Sequence, residues 1–165
     1  MAIRVLISHR NSLIQTGIQS ELIGNDNIQL VGDIKREDDL LQKINEFNPD
    51  VIILYCNAYD QQLSDALRLI MEHDLSNKIL ILSGNMEKES VLKIIKCGVG
   101  GYLLVDDTSI SIAQAIQVIA EGRTWFSPTI SSIIAESLQP RELGKPLTKR
   151  ELQVLNCLSQ GYTNK

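Results

Sequence analysis

The sequence predicts an α/β fold in which five parallel strands form a sheet covered by helices on both faces. Apolar runs of strand length recur at residues 3–7, 28–31, 51–54, 79–82 and 102–105. Segments with apolar residues at helical spacing separate these runs. Strands with so few polar residues require burial on both faces, which is the environment of a parallel sheet between two helical layers.

The elements between the strands follow from apolar stripes and chain breakers. Three helices are indicated by stripes at Leu40, Leu41, Ile44 and Phe47, at Leu63, Leu67 and Ile70, and at Val91, Leu92, Ile94 and Ile95. Gly24 ends the first helix and Pro49 precedes the third strand. The fifth helix is predicted over residues 109–121, with Ser109 as its cap and Gly122 as its stop.

Residues 122–146 form a connector after this first domain, which spans residues 1–121. Its middle predicts a short helix over residues 128–138, capped by Ser127, and Pro140, Gly144 and Pro146 then indicate a linker. Residues 147–165 begin a further helical unit. Thr148 and Glu151 have the spacing of a capping box, and an apolar stripe follows at Leu152, Leu155 and Leu158.

Composition excludes several classes of protein. The chain has 165 residues, 44% hydrophobic and 22% charged, which is typical of a globular domain. No apolar run reaches membrane-spanning length and no signal peptide is evident, so we expect a cytoplasmic protein that does not bind membranes. The three cysteines form no CxxC pair, which argues against a zinc site.

The charge is divided unevenly along the chain. Residues 139–165 carry five basic and two acidic side chains, whereas the remainder carries eleven basic and eighteen acidic ones. An acidic body with a basic tail is compatible with an anionic partner for the tail, although a short basic tail is also typical of a solvated linker.

Four motifs resemble response regulators of the NarL/FixJ type, which join a receiver domain to a LuxR-type helix-turn-helix. They are PDVIIL, KCGVGGYLL, GRTWFSP and the terminal LTKRELQVLNCLSQGYTNK. The resemblance implies a flavodoxin-like, doubly wound sheet for residues 1–121. It also implies that residues 147–165 are the N-terminal fragment of the helix-turn-helix domain, and we expect the chain to be cut short at Lys165.

The resemblance also implies which positions correspond to the phosphorylation site of a receiver. Ser8 and His9 stand where two acidic residues would hold Mg²⁺, and Tyr55 stands where the phosphoacceptor aspartate would be. Ser83 matches the hydroxyl position, whereas Val105 replaces the lysine. Tyr102 keeps the aromatic residue that changes rotamer on activation in the family.

These replacements predict a pseudo-receiver. Serine and histidine do not supply the carboxylate ligands that Mg²⁺ prefers, so we expect no metal and no cofactor. A phenol does not replace the carboxylate that forms an acyl phosphate, and Asp60 lies too far along the loop to take over. We expect His9 to be solvated. We expect Tyr55, Ser83 and Val105 to form a self-contained plug, with a repurposed ligand pocket as the alternative.

The leading hypothesis is an atypical, phosphorylation-independent response regulator that controls transcription when full length, with its receiver as a dimerisation and partner-sensing module. The resemblance implies a homodimer that binds DNA once the helix-turn-helix is complete. Phosphate contacts are then expected from Lys149, Arg150, Asn164 and Lys165.

Two alternatives belong to other classes. One is a stand-alone adaptor whose receiver fold binds a protein partner. The other is a redox or small-ligand sensor that uses Cys56. An enzyme is not indicated, because the sequence has no glycine-rich phosphate loop and no paired carboxylates after its strands.

Overall fold

A computed structural model of the chain describes residues 1–9, 12–35, 40–75, 78–84, 87–107 and 111–138, together with Lys149, Leu152, Gln153 and Leu155. The strands within these ranges are β1 (Ile3–Ser8), β2 (Ile28–Ile34), β3 (Val51–Cys56), β4 (Ile79–Ser83), β5 (Gly101–Leu104) and β6 (Trp125–Phe126). The helices are α1 (Ser12–Leu22), α2 (Leu40–Phe47), α3 (Gln61–Glu72), α4 (Lys88–Lys96), α5 (Ile112–Ala120) and α6 (Pro128–Ser137).

The strands form one parallel sheet in the order β2-β1-β3-β4-β5-β6. The first five follow the flavodoxin-like order, in which the direction of winding reverses between β1 and β3. Ligand sites in such sheets lie outside the carboxyl ends of the strands at this reversal. The predicted fold class is therefore confirmed, and it places the ends of β1, β3 and β4 side by side.

Alternation along the strands divides the core between the two faces of the sheet. Leu6 and Ile52 face one side, where they share a core with buried residues of α2, α3, α4 and α6. Val5 and Ile53 face the other side, where they pack with buried residues of α1 and α5. Because successive strand side chains point to opposite faces, a central strand covered on both sides must be apolar throughout.

The sheet has one strand more than the five that were predicted. Trp125 and Phe126 pair in parallel with Gly101 and Tyr102, so the connector begins as an edge strand. A run of two residues gives no periodic signal, and its strand conformation depends on the neighbouring β5. β2 also extends beyond the predicted residues 28–31 to Ile34, with a register shift opposite Val5 and Leu6.

Helix boundaries in the second half of the domain follow local capping chemistry. α5 begins at Ile112, after Ser111, whose side chain accepts a hydrogen bond from the backbone N–H of Gln114. The predicted start at Ser109 lies outside the described residues. Gly122 has a φ of 76°, and the N–H groups of Gly122 and Arg123 donate to the carbonyls of Ile119 and Val118. These paired bonds form the helix stop that the sequence predicts at Gly122.

The predicted connector helix is confirmed as α6, which has Pro128 at its first position and Ser127 before it. The Ser127 side chain makes no capping hydrogen bond, contrary to expectation, although this serine is fully buried. Within the described ranges, no helix is long and apolar enough to cross a membrane.

Candidate functional site

The parallel register brings most of the predicted site positions to one edge of the sheet. Ser8 ends β1 and pairs with Leu54, one residue before Tyr55. Ser83 ends β4 and pairs with Cys56 of β3. The backbone N–H of Val105 donates to the carbonyl of Ser83 at 2.8 Å. The positions that the resemblance assigns to phosphoryl chemistry therefore lie together at one edge of the sheet.

A hydrogen bond between Ser83 and Tyr102 is the best-buried polar contact of this edge. The Ser83 hydroxyl donates to Tyr102 Oη at 3.0 Å and also lies 2.9 Å from the carbonyl oxygen of Gly84. Neither Ser83 nor Tyr102 is exposed to solvent. Burial and the nearby Cys56 thiol raise the pKa of Tyr102 to about 12, whereas the hydrogen bond from Ser83 opposes this rise. Tyr102 is therefore a neutral, inward-facing phenol at physiological pH.

Tyr55 lies near the end of β3 and is only partly buried. Its hydroxyl donates a 2.7 Å hydrogen bond to Asn57 Oδ1, two residues along the chain. The Val105 side chain is 50% exposed. The predicted plug of Tyr55, Ser83 and Val105 is therefore wrong, since Ser83 pairs with Tyr102 while Val105 faces solvent.

His9 is buried rather than solvated, so that expectation is also wrong. Its exposed fraction is 3%, and its backbone N–H donates to the carbonyl of Ile34 at 2.9 Å. His9 Nε2 lies 3.7 Å from Asp33 Oδ2, beyond hydrogen-bond distance, and neither ring nitrogen has a hydrogen-bond partner among the described residues. Asp33 reaches His9 because β2 continues past Gly32, an extension that the apolar pattern did not predict.

Cys56 lies on the same edge but has little thiolate character. Burial, followed by the negative charge of Asp60, raises the pKa of its thiol to about 12. Asp60 itself caps α3, since its side chain accepts a hydrogen bond from the backbone N–H of Leu63 at 2.9 Å. A reactive cysteine requires the opposite environment, in which a neighbouring positive charge stabilises the thiolate.

The donor set does not fit the Mg²⁺ of a working receiver. Hydroxyl, imidazole and phenol groups stand at Ser8, His9 and Tyr55, where carboxylate oxygens would be needed to balance the charge of the ion. Among the described residues, no group of three or more histidine, cysteine or acidic side chains is arranged to hold a metal ion.

Several contacts that the sequence did not reveal connect this edge to the connector helix. The backbone N–H of Ser127 donates to the carbonyl of Tyr102 at 3.0 Å. Thr129 Oγ1 donates to Asp107 Oδ1 at 2.8 Å, and Lys88 Nζ lies 2.6 Å from Glu136 Oε2. Such pairs join residues up to 48 positions apart, so no local pattern could predict them.

Only part of the predicted DNA contact set can be placed. Lys149 is helical and exposed, as are Leu152 and Leu155. Arg150, Asn164 and Lys165 lie outside the described residues. Of the helix predicted in residues 147–165, the structure describes four positions, which are Lys149, Leu152, Gln153 and Leu155.

The sheet and its flanking helices match solved structures of receiver domains, and the sequence is similar to those of response regulators. The chain is 28% identical over 165 residues to the response regulator protein VraR of Staphylococcus epidermidis, covering 99% of this chain and 79% of VraR. VraR of Staphylococcus aureus is 27% identical over the same length. No protein-family model matches the chain.

Solved structures support the fold in the same way. A LuxR-family response regulator from Aurantimonas sp. superimposes with a TM-score of 0.73 at 22% identity, over 83% of this chain and 98% of that one. The NarL receiver domain of Mycobacterium tuberculosis gives a TM-score of 0.64 at 24% identity, over 74% of this chain and 98% of that one. The RcsB receiver domain of Salmonella enterica serovar Typhimurium was solved with the phosphomimetic BeF3-. It gives a TM-score of 0.69 at 16% identity, over 81% of this chain and 99% of that one.

Proposed function

We propose that the protein is an atypical, phosphorylation-independent response regulator that controls transcription when its DNA-binding domain is complete. Its receiver would serve as a dimerisation and partner-sensing module. The observation that carries this proposal is the tyrosine near the end of β3, whose hydroxyl donates a hydrogen bond to Asn57. The resemblance gives Tyr55 the position of the acceptor carboxylate.

The chemistry of phosphoryl transfer supports the proposal. Transfer from a phosphohistidine to a carboxylate requires an ionised nucleophile, a metal ion that balances the phosphoryl charge and a nearby cation. Tyr55 carries a phenol, which cannot form the acyl phosphate that a carboxylate forms. Val105 places an exposed apolar side chain where a lysine would bind phosphate. The loss of the acceptor carboxylate by itself removes the group that would form the acyl phosphate.

The Ser83–Tyr102 hydrogen bond suggests what has replaced phosphorylation. In the family that the sequence resembles, this aromatic position responds to the phosphoryl group. Here Tyr102 is inward-facing, fully buried and hydrogen-bonded to Ser83. We infer that the receiver holds one state through its own side chains, and that its output depends on dimerisation or on a protein partner.

The proposed output follows from the relatives. Solved structures of RcsB include two RcsB dimers bound to two parallel DNAs and an RcsB–DNA complex. We propose that this protein also acts as a homodimer on DNA through residues 147 onward, with residues 1–121 as the receiver and residues 122–146 as the connector. Lys149, Arg150, Asn164 and Lys165 would contact phosphates rather than bases.

The redox alternative has less support. At neutral pH a thiol with a pKa of about 12 is almost entirely protonated, so Cys56 is a poor nucleophile and a poor redox sensor. The adaptor alternative differs from the main proposal only in lacking DNA binding. It would gain support if a chain with a complete helix-turn-helix failed to bind DNA under conditions in which it dimerises.

Intact-mass spectrometry after incubation with acetyl phosphate and Mg²⁺ tests the proposal. We expect no stable adduct of one phosphoryl group, while a receiver domain with an acceptor aspartate, treated in parallel, serves as the positive control. An Asp60→Asn variant, which removes the carboxylate that follows β3, should behave in the same way. A stable phosphoryl adduct on the unmodified chain would refute the proposal, and its loss in Asp60→Asn would identify Asp60 as the acceptor.

A further inference from the structure

A cavity of about 300 Å³ opens between α1 and the carboxyl end of β5. Its walls are mostly apolar, and they include Leu13, Ile14, Ile18, Leu103, Val105 and Ile112. This volume is at the lower end of the range for sites that bind small molecules, which are also lined by apolar side chains with a few polar groups. Of the described residues, Tyr55 and Ser83 do not line the cavity, so it is distinct from the strand-end positions discussed above.

Gly17 leaves part of this cavity open. It lines the cavity from the interior of α1, where a glycine makes the helix less stable than an alanine would. Its φ is not positive, and a Cβ atom built on it would meet no neighbouring atom of the described residues within 4 Å. Neither the backbone conformation nor a close neighbour therefore requires a glycine here, whereas a molecule bound in the cavity would need the space.

Two carboxylates give the cavity an acidic character. Asp107 lines it in the turn after β5, and Glu21 lines it from α1, whereas none of the described lining residues is basic. Asp107 Oδ1 accepts a 2.8 Å hydrogen bond from Thr129 Oγ1, but Asp107 Oδ2 is buried and has no hydrogen-bond partner among the described residues. A buried oxygen without a partner is unfavourable, and positively charged donors form the strongest hydrogen bonds to a carboxylate. The cavity therefore favours a cationic donor.

We propose that this cavity binds a small apolar molecule that carries one ammonium group. The ammonium group donates a hydrogen bond to Asp107, and the apolar body of the molecule lies against Gly17 and the apolar walls. A neutral apolar molecule would leave the Asp107 carboxylate without a charged partner, and an anion would be repelled by both Asp107 and Glu21. The site does not depend on the proposed function, because it uses none of the groups near Tyr55.

NMR titration of the whole chain with three related probes tests the proposal. Phenylbutylammonium, phenylbutanol and phenylbutanoate share a phenyl ring and a short alkyl chain, but their head groups are positive, neutral and negative at neutral pH. The ammonium should cause saturable shifts at Gly17, Leu103 and Ile112. The alcohol should bind at these residues about tenfold more weakly, because its hydrogen bond lacks the charge, and the carboxylate should show no saturable binding.

Two variants separate the head group from the apolar body. Asp107→Asn removes the negative charge but keeps an oxygen that can accept from Thr129, so the affinity for the ammonium should fall about tenfold while that for the alcohol stays the same. Gly17→Leu should fill the cavity and abolish the binding of both probes. Gln19→Leu is the matched control, because Gln19 is exposed on the same helix and does not line the cavity, and it should leave both affinities unchanged.

Three outcomes would overturn the proposal. Equal affinities for the ammonium and the alcohol would contradict the assigned class of ligand. The absence of saturable binding by any probe would contradict the site itself, and this result needs no variant to fold. Leu13, which lines the cavity, is 75% exposed, so sedimentation mass is measured in parallel over a range of protein concentrations. Self-association that shifts the same signals, is abolished by Gly17→Leu and leaves no probe binding would show that a second copy of the chain fills the cavity instead.

Discussion

The buried pair of Ser83 and Tyr102 yields the most quantitative prediction. Both side chains are 0% exposed, and their oxygens are 3.0 Å apart. A neutral intramolecular hydrogen bond contributes about 1 kcal/mol, and a buried polar group that loses its partner costs about 1–3 kcal/mol. Ser83→Ala should therefore reduce the free energy of unfolding by about 1–2 kcal/mol, and Tyr102→Phe should reduce it by about 1 kcal/mol.

A double-mutant cycle isolates the pair from the effects of each residue on packing. Ser83→Ala combined with Tyr102→Phe should destabilise the protein by about 1 kcal/mol less than the sum of the single changes. Urea unfolding measures all four free energies. The fluorescence of Trp125, the single tryptophan, reports the transition, because this residue is buried at the edge of the same sheet.

The cycle can also refute the reasoning. Independent sites add to within about 0.3–0.5 kcal/mol, so a coupling energy inside that range would mean that the hydroxyls do not interact. Ser132→Ala serves as the surface control and should change stability by less than about 0.5 kcal/mol. The slope of the free energy of unfolding against urea concentration should stay the same in all variants, because none of them changes the surface that unfolding exposes.

Three further predictions concern pH, thiol reactivity and close packing. Folding raises the pKa of Tyr102 to about 12, so the stabilisation linked to its protonated form is complete below about pH 10 and is lost as the pH rises to about 12. The free energy of unfolding should fall by about 3 kcal/mol over this range in urea titrations. An alkaline profile as flat as that of Tyr102→Phe would contradict this. The Cys56 pKa rises from 9.0 to about 12, so iodoacetamide at pH 8 should alkylate Cys56 about a thousandfold more slowly than in the denatured chain, as peptide mapping would measure; equal rates would contradict the burial. Gly101→Ala should destabilise the fold by about 1–3 kcal/mol in urea unfolding, because its Cβ would meet the backbone oxygen of Trp125. Gly32→Ala should destabilise the fold less, because its Cβ would meet the Phe47 ring, a side chain that can shift. The reverse order would show that β6 can move away from Gly101.

The sequence predicted the parallel sheet and its helices well because burial on both faces leaves an unmistakable apolar pattern in the central strands. β3 illustrates this, since Val51 to Leu54 are all buried. The two strands at the edges of the sheet, β2 and β6, were harder to predict from the sequence. β6 has only two residues, and the second half of β2 contains Gly32 and Asp33, which are uncommon in strands. Both owe their conformation to pairing with a neighbouring strand.

The candidate site was predictable as a set of positions but not as a set of contacts. Aligning PDVIILYCN with a receiver strand places Tyr55 correctly near the end of β3. The burial of His9 depends on Asp33 and on the neighbouring strand, and the partner of Ser83 depends on how Tyr102 enters the core. Such contacts span 19 or more residues and arise only from packing, so the sequence pattern alone could not show that the predicted plug is wrong.

The central claim is that the receiver's state does not depend on phosphorylation. The most direct test compares NMR spectra and sedimentation mass of the chain with and without Mg²⁺ and beryllofluoride, which mimics an aspartyl phosphate. We predict unchanged signals at Ser83, Tyr102 and α6, and an unchanged mass. Saturable shifts at these residues, together with a change in oligomeric mass, would show that the site still binds a phosphoryl group and would contradict the account.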